Sequence, residues 1–478
     1  MVSKATQPLF RPRNVEISRK IKLLALPIIA SNLSRVAMNM ADVAMVGQLG
    51  APALAATGMG SMLVWAVVSF GISLRTATQT VASRRLGQKK YFECGTAMHN
   101  GHLLAFLYGV PAAASGYFFA KHFVPFLISD TTVIRLCIDY TTIAFLSVFF
   151  SAFGFVFQGF YTGVEKTSVH MKVTVTANLL NVYLNAGLIY GKQAVQNYFA
   201  SIEAVDVSWV GGLWSWYDFP ALGVKGAAAA TLISSAWLAA HYSFYLFKPT
   251  IYKKFHVFSF TLSWKMLKRQ IAIAVPQGSQ EMLVMVGFVV FFKIVGIIGV
   301  VELAAVEIVF TILQSSFMPA IGIGQACATL VGKYLGKEKT KKAETSIIES
   351  VRWSFLIMGS VGVMFLFIPQ YIIPVFTNDP KVMELGVNAL RIAALVQFAD
   401  AVGLTLWFAL SGAGNTFFPA VVEAAIVWGF FLPASYVSGV VLGFGFMGPW
   451  MAFVIYIVLF AIIMFWKIRK GDWKEIII

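Results

Sequence analysis

The sequence predicts an all-α integral membrane fold of about twelve transmembrane helices, in two pseudo-symmetric six-helix lobes around a central cavity. Three observations carry this prediction: a composition too apolar for a soluble globule, a series of membrane-length apolar runs, and an internal repeat. Of the 478 residues, 58% are hydrophobic and only 12% charged, with a mean hydropathy of +0.76. That leaves too little charge to cover a water-soluble surface. The formal net charge of +16 comes from Lys and Arg residues gathered in short stretches between apolar runs. A nucleic-acid-binding protein would instead spread them along one face, so membrane topology accounts for the pattern and no nucleic-acid partner is expected.

Spanning ~30 Å of hydrocarbon takes about 20 apolar residues. Runs of that kind begin near Leu23, Ala53, Leu103, Leu136, Val173 and Gly223 in the first half. In the second half they begin near Ile271, Leu303, Trp353, Leu385, Phe417 and Gly445. Alternate loops are basic, carrying Arg84, Arg85, Lys89 and Lys90, then Lys166 and Lys172, then Lys248 to Arg269, then Lys333 to Lys342. The positive-inside rule makes these loops and both termini cytoplasmic. The expected organisation is a tail at 1–22, a first lobe at 23–247, a basic linker at 248–270, a second lobe at 271–466 and a tail at 467–478. A segment near 192–222 on the other side, with Trp209, Trp214 and Trp216, reads as a lid or an interfacial anchor.

The repeat appears when the sequence is shifted by 249 positions. Pro27 then falls on Pro276, Gly50 on Gly299, Leu54-Ala55-Ala56 on Leu303-Ala304-Ala305, Leu86-Gly87 on Leu335-Gly336, and Gly163 on Gly412. One unbroken register over that length marks a duplication. Toward the end of each half, Gly223 and Gly226 match Gly445 and Gly448 at an offset of 222, so the first half carries the Trp-rich segment as an insertion. An even number of spans per repeat makes the halves parallel, and substrate passage between such halves is their common use.

No enzyme is expected. Cys94, Cys137 and Cys327 are widely separated, the six histidines are isolated, and neither a nucleophile triad nor a phosphate loop is present. No cofactor is implied either.

The stretch Met40-Ala41-Asp42-Val43-Ala44-Met45-Val46-Gly47 after Pro27, Asn181-Val182-Tyr183-Leu184-Asn185, Gly223-Val224-Lys225-Gly226 with Ala230-Thr231, Phe317-Met318-Pro319-Ala320, and Ser411-Gly412-Ala413-Gly414-Asn415-Thr416 follow one another along nearly the whole chain. In that order they resemble the multidrug and toxic compound extrusion (MATE) family. The resemblance implies antiporters, driven by sodium or proton gradients, that expel cationic or amphipathic organic compounds.

A charge at the bilayer centre costs about 2.5 to 3.5 kcal/mol on insertion scales, so each intramembrane charge asks for a function. Asp42 lies deep in the first span and aligns with the family's first-helix aspartate. Asn181 and Asn185, one helical turn apart, and Thr231 on the next span match the polar ligands of the family's first-lobe cation site. This all-oxygen set suits a hard cation such as Na+, and proton transfer through Asp42 is equally open. Glu281, Glu307 and Asp400 are the candidates for an acidic, aromatic substrate or second cation site. One branch of the family places a glutamate eight residues after the seventh-helix proline, where this chain has Val284, with Glu281 one turn earlier. Pro27 is the candidate hinge. Arg35 reads either as a counter-charge for Asp42 or as a side chain reaching an interface, and Arg75 and Lys293 are further pairing candidates.

The expected setting is therefore a plasma membrane, the inner membrane in a bacterium, with a monomer handling a small organic substrate and a coupling cation. The rival reading is a lipid-linked precursor flippase of the same broad superfamily, which requires a basic central cavity.

Overall fold

The computed structural model describes residues 11–127, 130–201 and 208–477, which contain twelve long helices and no strand. The first six are α1 (Val15–Gly47), α2 (Ala51–Gly87), α3 (Tyr91–Leu127), α4 (Thr131–Gly163, with a turn at Phe145), α5 (Thr167–Tyr190) and α6 (Val224–Leu246). The second six are α7 (Trp264–Ile298), α8 (Val300–Gly336), α9 (Thr340–Phe367), α10 (Pro380–Ala413), α11 (Phe417–Val441) and α12 (Met447–Lys470). The fold class expected from the sequence is the one observed. The duplication is visible in the helix limits: α1 and α7 start 249 positions apart, at Val15 and Trp264, as do α2 and α8, at Ala51 and Val300.

Ten of these helices are long and apolar enough to cross a membrane by length and composition alone; α5 and α6 are the two that fall short. The physical reason is local. Helix α5 carries Lys172, Asn178, Asn181 and Asn185, and α6 is rich in Ala, Ser and Thr rather than Leu and Ile. The two helices least suited to lipid are thus those that carry a polar interior. Several helices also begin well before their apolar runs, α3 at Tyr91 rather than near Leu103 and α9 at Thr340 rather than near Trp353. Helical hydrogen bonding continues past the hydrocarbon boundary, where apolarity is no longer required.

Two large apolar cores cross the lobe boundary: one joins the first half of α1 to α7–α12, and the other joins α2–α6 to the first half of α7. Between lobes, α1 packs on α8, α2 on α7, and α2 on α8. The duplication exchanges the first two pairs and maps the third onto itself, so the α2–α8 crossing lies on the pseudo-twofold axis. Glycine makes that crossing possible. A Cβ at Gly87 would stand 2.1 Å from the carbonyl oxygen of Lys333, and one at Gly336 would stand 2.2 Å from that of Arg84. The repeated Leu-Gly pair is the sequence trace of this contact.

The interlobe hydrogen bonds of the described residues gather on the basic-loop half of the molecule. Gln79 donates to Gln325 O at 2.8 Å and Thr329 Oγ1 at 2.9 Å, Thr80 donates to Ser411 O at 2.9 Å, and Lys333 pairs with Glu165 at 2.5 Å. The start of α1 docks on α9 of the other lobe, with Glu349 accepting from the backbone N–H of Arg13 and Ser18 Oγ accepting from Arg352 and Trp353. The C-terminal segment adds a strap. Trp473 is fully buried, Lys474 pairs with Glu344, and the carbonyls of Ile476 and Ile477 accept from Arg84 and Arg269. On the opposite half, Met40 and Val43 of α1 and Val286 and Val289 of α7 are exposed.

The Trp-rich insertion falls partly outside the described residues. Its remainder forms a short helix, Lys192–Ala200, a helical turn, Ser208–Gly211, and a 3-10 turn, Gly212–Trp214. It clasps the end of α5: Trp214 stacks on Tyr183 with ring centres 4.7 Å apart and donates to Tyr183 O at 3.0 Å, and Trp216 donates to Tyr183 Oη at 2.6 Å. Tyr183 lies between Asn181 and Asn185, so the insertion braces the helix that carries both amides.

Candidate functional site

The first polar centre lies inside the first lobe between α1, α5 and α6. Asn185 Nδ2 donates to Asp42 Oδ1 at 2.5 Å and to Asn181 Oδ1 at 3.1 Å, and Asn181 Nδ2 donates to Ser234 Oγ at 3.2 Å. Helical spacing explains the arrangement: two amides four residues apart project from one face of α5, so the acid on α1 meets Asn185 and Asn185 relays to Asn181. Asn178, a turn earlier on α5, makes a separate bond to α1, donating to Ser34 Oγ at 2.7 Å. Asn181 and Asn185 are almost fully buried, which makes every unmade hydrogen bond here costly.

One such bond is unmade. Asn185 Oδ1 is buried and has no partner among the described residues, while its NH2 group serves both Asp42 and Asn181. Turning that amide by half a rotation would place its oxygen beside those of Asp42 and Asn181. This is the set of oxygens a hard cation takes. The residues therefore fit a monovalent cation, and equally a proton held on Asp42. Thr231 is not brought into the chain directly. Its hydroxyl donates to Ala227 O of its own helix at 3.1 Å, while its carbonyl accepts from Ser234, the hydroxyl that does reach Asn181.

The second centre lies in the other lobe, and its hub is a residue the sequence reading did not single out. Glu423 of α11 accepts from Tyr456 Oη at 2.8 Å through one carboxylate oxygen and from Gln280 Nε2 through the other. Glu281 and Asp400 lie near enough to Glu423 and Tyr456 to interact with them electrostatically. Asp400 also borders a narrow recess lined by Phe317, Trp450 and Phe453. Glu281 and Asp400 are thus brought together, and Glu307 is not: it is exposed on α8, with no hydrogen bond or ion pair from its carboxylate among the described residues. Lys293 is likewise exposed and makes no ion pair with the cluster. A lone acid inside the apolar run that starts at Phe417 was the available signal for Glu423.

Pro27 sits within an unbroken α1, and Ser31 Oγ donates to its carbonyl at 2.8 Å, so a side chain works beside the position where the proline removes a backbone donor. Among the described residues no group of three or more His, Cys, Asp or Glu is placed to hold a metal.

Two parallel six-helix lobes, each with a polar centre enclosed among membrane-length helices, define the class as a polytopic membrane transporter. The chain belongs to the MatE family, whose model matches residues 27–186 and 276–437, one segment in each lobe. The sequence is similar to the probable multidrug resistance proteins NorM of Thermotoga maritima, at 26% identity over 96% of this chain and 94% of that one, and of Synechocystis, at 24% over 95% and 94%. In fold it is similar to a multidrug resistance MATE family transporter solved in an outward-facing conformation, with a TM-score of 0.84, 19% identity, and 96% of this chain and 97% of that one covered.

Proposed function

We propose that this protein exports cationic or amphipathic organic compounds in exchange for Na+ or H+, with the lobes rocking about the α2–α8 crossing and both termini in the cytoplasm. The observation that carries the reading is the Asp42–Asn185–Asn181 chain, which joins a single acid on α1 to a braced α5 and leaves one buried oxygen unused. Cation entry at Asp42 would turn the Asn185 amide and break its donation to the acid. That change shifts α1 relative to α5, and because α1 packs on α8 of the other lobe, it reaches the interlobe contact. Pro27 is the position at which α1 bends, because the hydrogen bond there is already missing.

The driving force is adequate. One elementary charge crossing about 150 mV yields ~3.5 kcal/mol, enough for a concentration ratio of a few hundredfold at 1.4 kcal/mol per decade. The acids Glu281, Asp400 and Glu423, with Phe317, Trp407 and Tyr456 around them, supply charge and aromatic faces suited to an organic cation. The NorM relatives support multidrug export, and the basic loops support a plasma-membrane setting with those loops inside.

One observation favours the lipid-linked precursor flippase as a second reading: Arg35 and Arg75 make the inner part of the first lobe basic. Reconstitution separates the two. Efflux of ethidium from proteoliposomes under an imposed Na+ or H+ gradient supports the antiporter and names its ion. Translocation of a lipid-linked phosphate with no gradient-driven ethidium efflux would replace it.

A further inference from the structure

The segment that joins α6 to α7 carries positive charge that the chain itself does not cancel. Elsewhere on the basic side, acids sit against basic residues: Glu93 lies 2.9 Å from Arg85 and 3.1 Å from Lys90, Asp472 lies 2.6 Å from Lys467, and Glu344 pairs with Lys474. Between Asp218 and Glu281 the sequence has no Asp or Glu. Lys248, Lys253, Lys254, Lys265 and Lys268 are all exposed and make no ion pair among the described residues. Three of them meet aromatic rings instead, Lys248 over Tyr245 at 4.3 Å, Lys254 over Tyr91 at 4.8 Å and Lys268 over Trp264 at 5.6 Å. A ring face attracts a cation and leaves its charge in place.

This segment is no slack tether. Its short helix, Pro249–Phe255, buries Ile251 and Phe255 and turns Lys253 and Lys254 outward. Beyond the helix the chain is fastened along α3: Val257 O lies 2.8 Å from His99 Nε2, Thr261 Oγ1 lies 2.9 Å from Thr96 Oγ1, and Ser263 bonds both amide atoms of Asn100 through its backbone, at 3.0 and 3.2 Å. Gly95 admits this close approach, since a Cβ there would stand 2.3 Å from Phe255 O. With its buried row thus fixed, the segment presents Phe258, Phe260 and Trp264 outward, each more than half exposed. Phe258 packs against Phe247 at the end of α6, ring centres 5.0 Å apart, and Trp264 opens α7. The exposed rings therefore lie level with the ends of two helices of the bundle, beside the unpaired lysines. Rings at a helix end with ammonium groups next to them match the boundary between acyl chains and phosphates.

We propose that the α6–α7 segment is a seat for anionic phospholipid of the leaflet on the basic-loop side, with Lys248, Lys253 and Lys254 taking the phosphates and Phe258, Phe260 and Trp264 entering the layer beneath them. Charge complementarity selects the occupant: the segment offers ammonium groups without acids, and an anionic leaflet offers the reverse. The seat is independent of the compound exported. It belongs to the first lobe as a body, because the segment is fastened to α3 and runs into α7 residues, Met266, Ile273 and Ala274, that share a core with α2–α6.

The test is lipid retention by the full chain in dodecyl maltoside micelles that contain equal amounts of dioleoylphosphatidylglycerol and dioleoylphosphatidylcholine, read by native mass spectrometry as the ratio of the two lipids bound. The intact protein is expected to favour phosphatidylglycerol, and the double variant Lys253→Gln, Lys254→Gln to lower the ratio by about fivefold for each lysine removed. A second double variant, Lys339→Gln, Lys341→Gln, removes the same charge from exposed positions at the start of α9 and should leave the ratio unchanged. Phe260→Ser with Trp264→Ser should reduce retention of both lipids while keeping the preference. No preference in the intact protein, or an equal loss in the two lysine variants, would overturn the seat, the second result assigning the effect to diffuse charge. Loss of the preference in glycerol 3-phosphate but not in potassium chloride of equal ionic strength would assign the lysines to a free phosphate and overturn the lipid.

Discussion

Gly87→Ala tests the proposed pivot. The new Cβ would stand 2.1 Å from the Lys333 carbonyl oxygen, 2.9 Å from its carbon and 3.1 Å from Gly336 Cα. All three atoms are backbone, so no side-chain rotation relieves the clash, and α2 and α8 must separate at their basic-side ends. Overpacking of this kind costs about 1 to 3 kcal/mol, and here the cost falls on the state in which the basic side is shut. At 1.4 kcal/mol per decade, the balance between the closed and opened basic side moves by about 5-fold to 150-fold. Spin labels at Gln48, after the end of α1, and at Ile297, near the end of α7, report the separation of the lobes on the opposite side. Double electron–electron resonance should show the long-distance population of the Gly87 protein giving way to a shorter one in Gly87→Ala, and the same change in Gly336→Ala. Identical distance distributions in all three proteins would refute the pivot, because a clash at the axis would then have been absorbed without moving the lobes.

The other predictions concern single side chains. Asn185→Leu removes the residue joining Asp42 to Asn181 and fills the space a cation would take; gradient-driven efflux should fall at least about tenfold while the folded yield by size-exclusion chromatography stays near normal. Glu423→Gln keeps the size and the bond from Tyr456 but removes the charge; efflux of dications should fall more than that of monocations when both are assayed in the same vesicles. Trp473→Ala withdraws a fully buried anchor from the interlobe strap, at a cost of about 3 to 5 kcal/mol for a buried aromatic. The thermal unfolding midpoint in detergent should drop, and the spin-label distances should shift in the same direction as in Gly87→Ala.

What could be read from the sequence divides along physical lines. The 249-residue register predicted that α1 corresponds to α7 and α2 to α8, because matched glycines such as Gly87 and Gly336 mark backbone positions where bulk is excluded, and such positions survive duplication. Asp42, Asn181 and Asn185 stood out because polar residues at helical spacing are rare in apolar runs, and they do share one hydrogen-bond chain. Ser234 escaped notice because a hydroxyl in a span is commonly bonded to its own helix, and only the structure shows it also accepting from Asn181. Glu423 is the one carboxylate in its helix, but the partners that make it a hub, Tyr456 and Gln280, come from two other helices and leave no local trace. The expected tail at 467–478 includes the strap; Trp473, alone among Asp472, Lys474 and Glu475, is the sign that one face of it is buried. Composition reports how much charge a segment carries but not which neighbour receives it.

The most direct test of the central claim, that Asp42 couples cation movement to export, is ethidium efflux from proteoliposomes under separate Na+ and H+ gradients, comparing the intact protein with Asp42→Asn. The account predicts efflux driven by one of the two gradients in the intact protein and its loss in Asp42→Asn, with ethidium binding retained. Undiminished gradient-driven efflux by Asp42→Asn would contradict it.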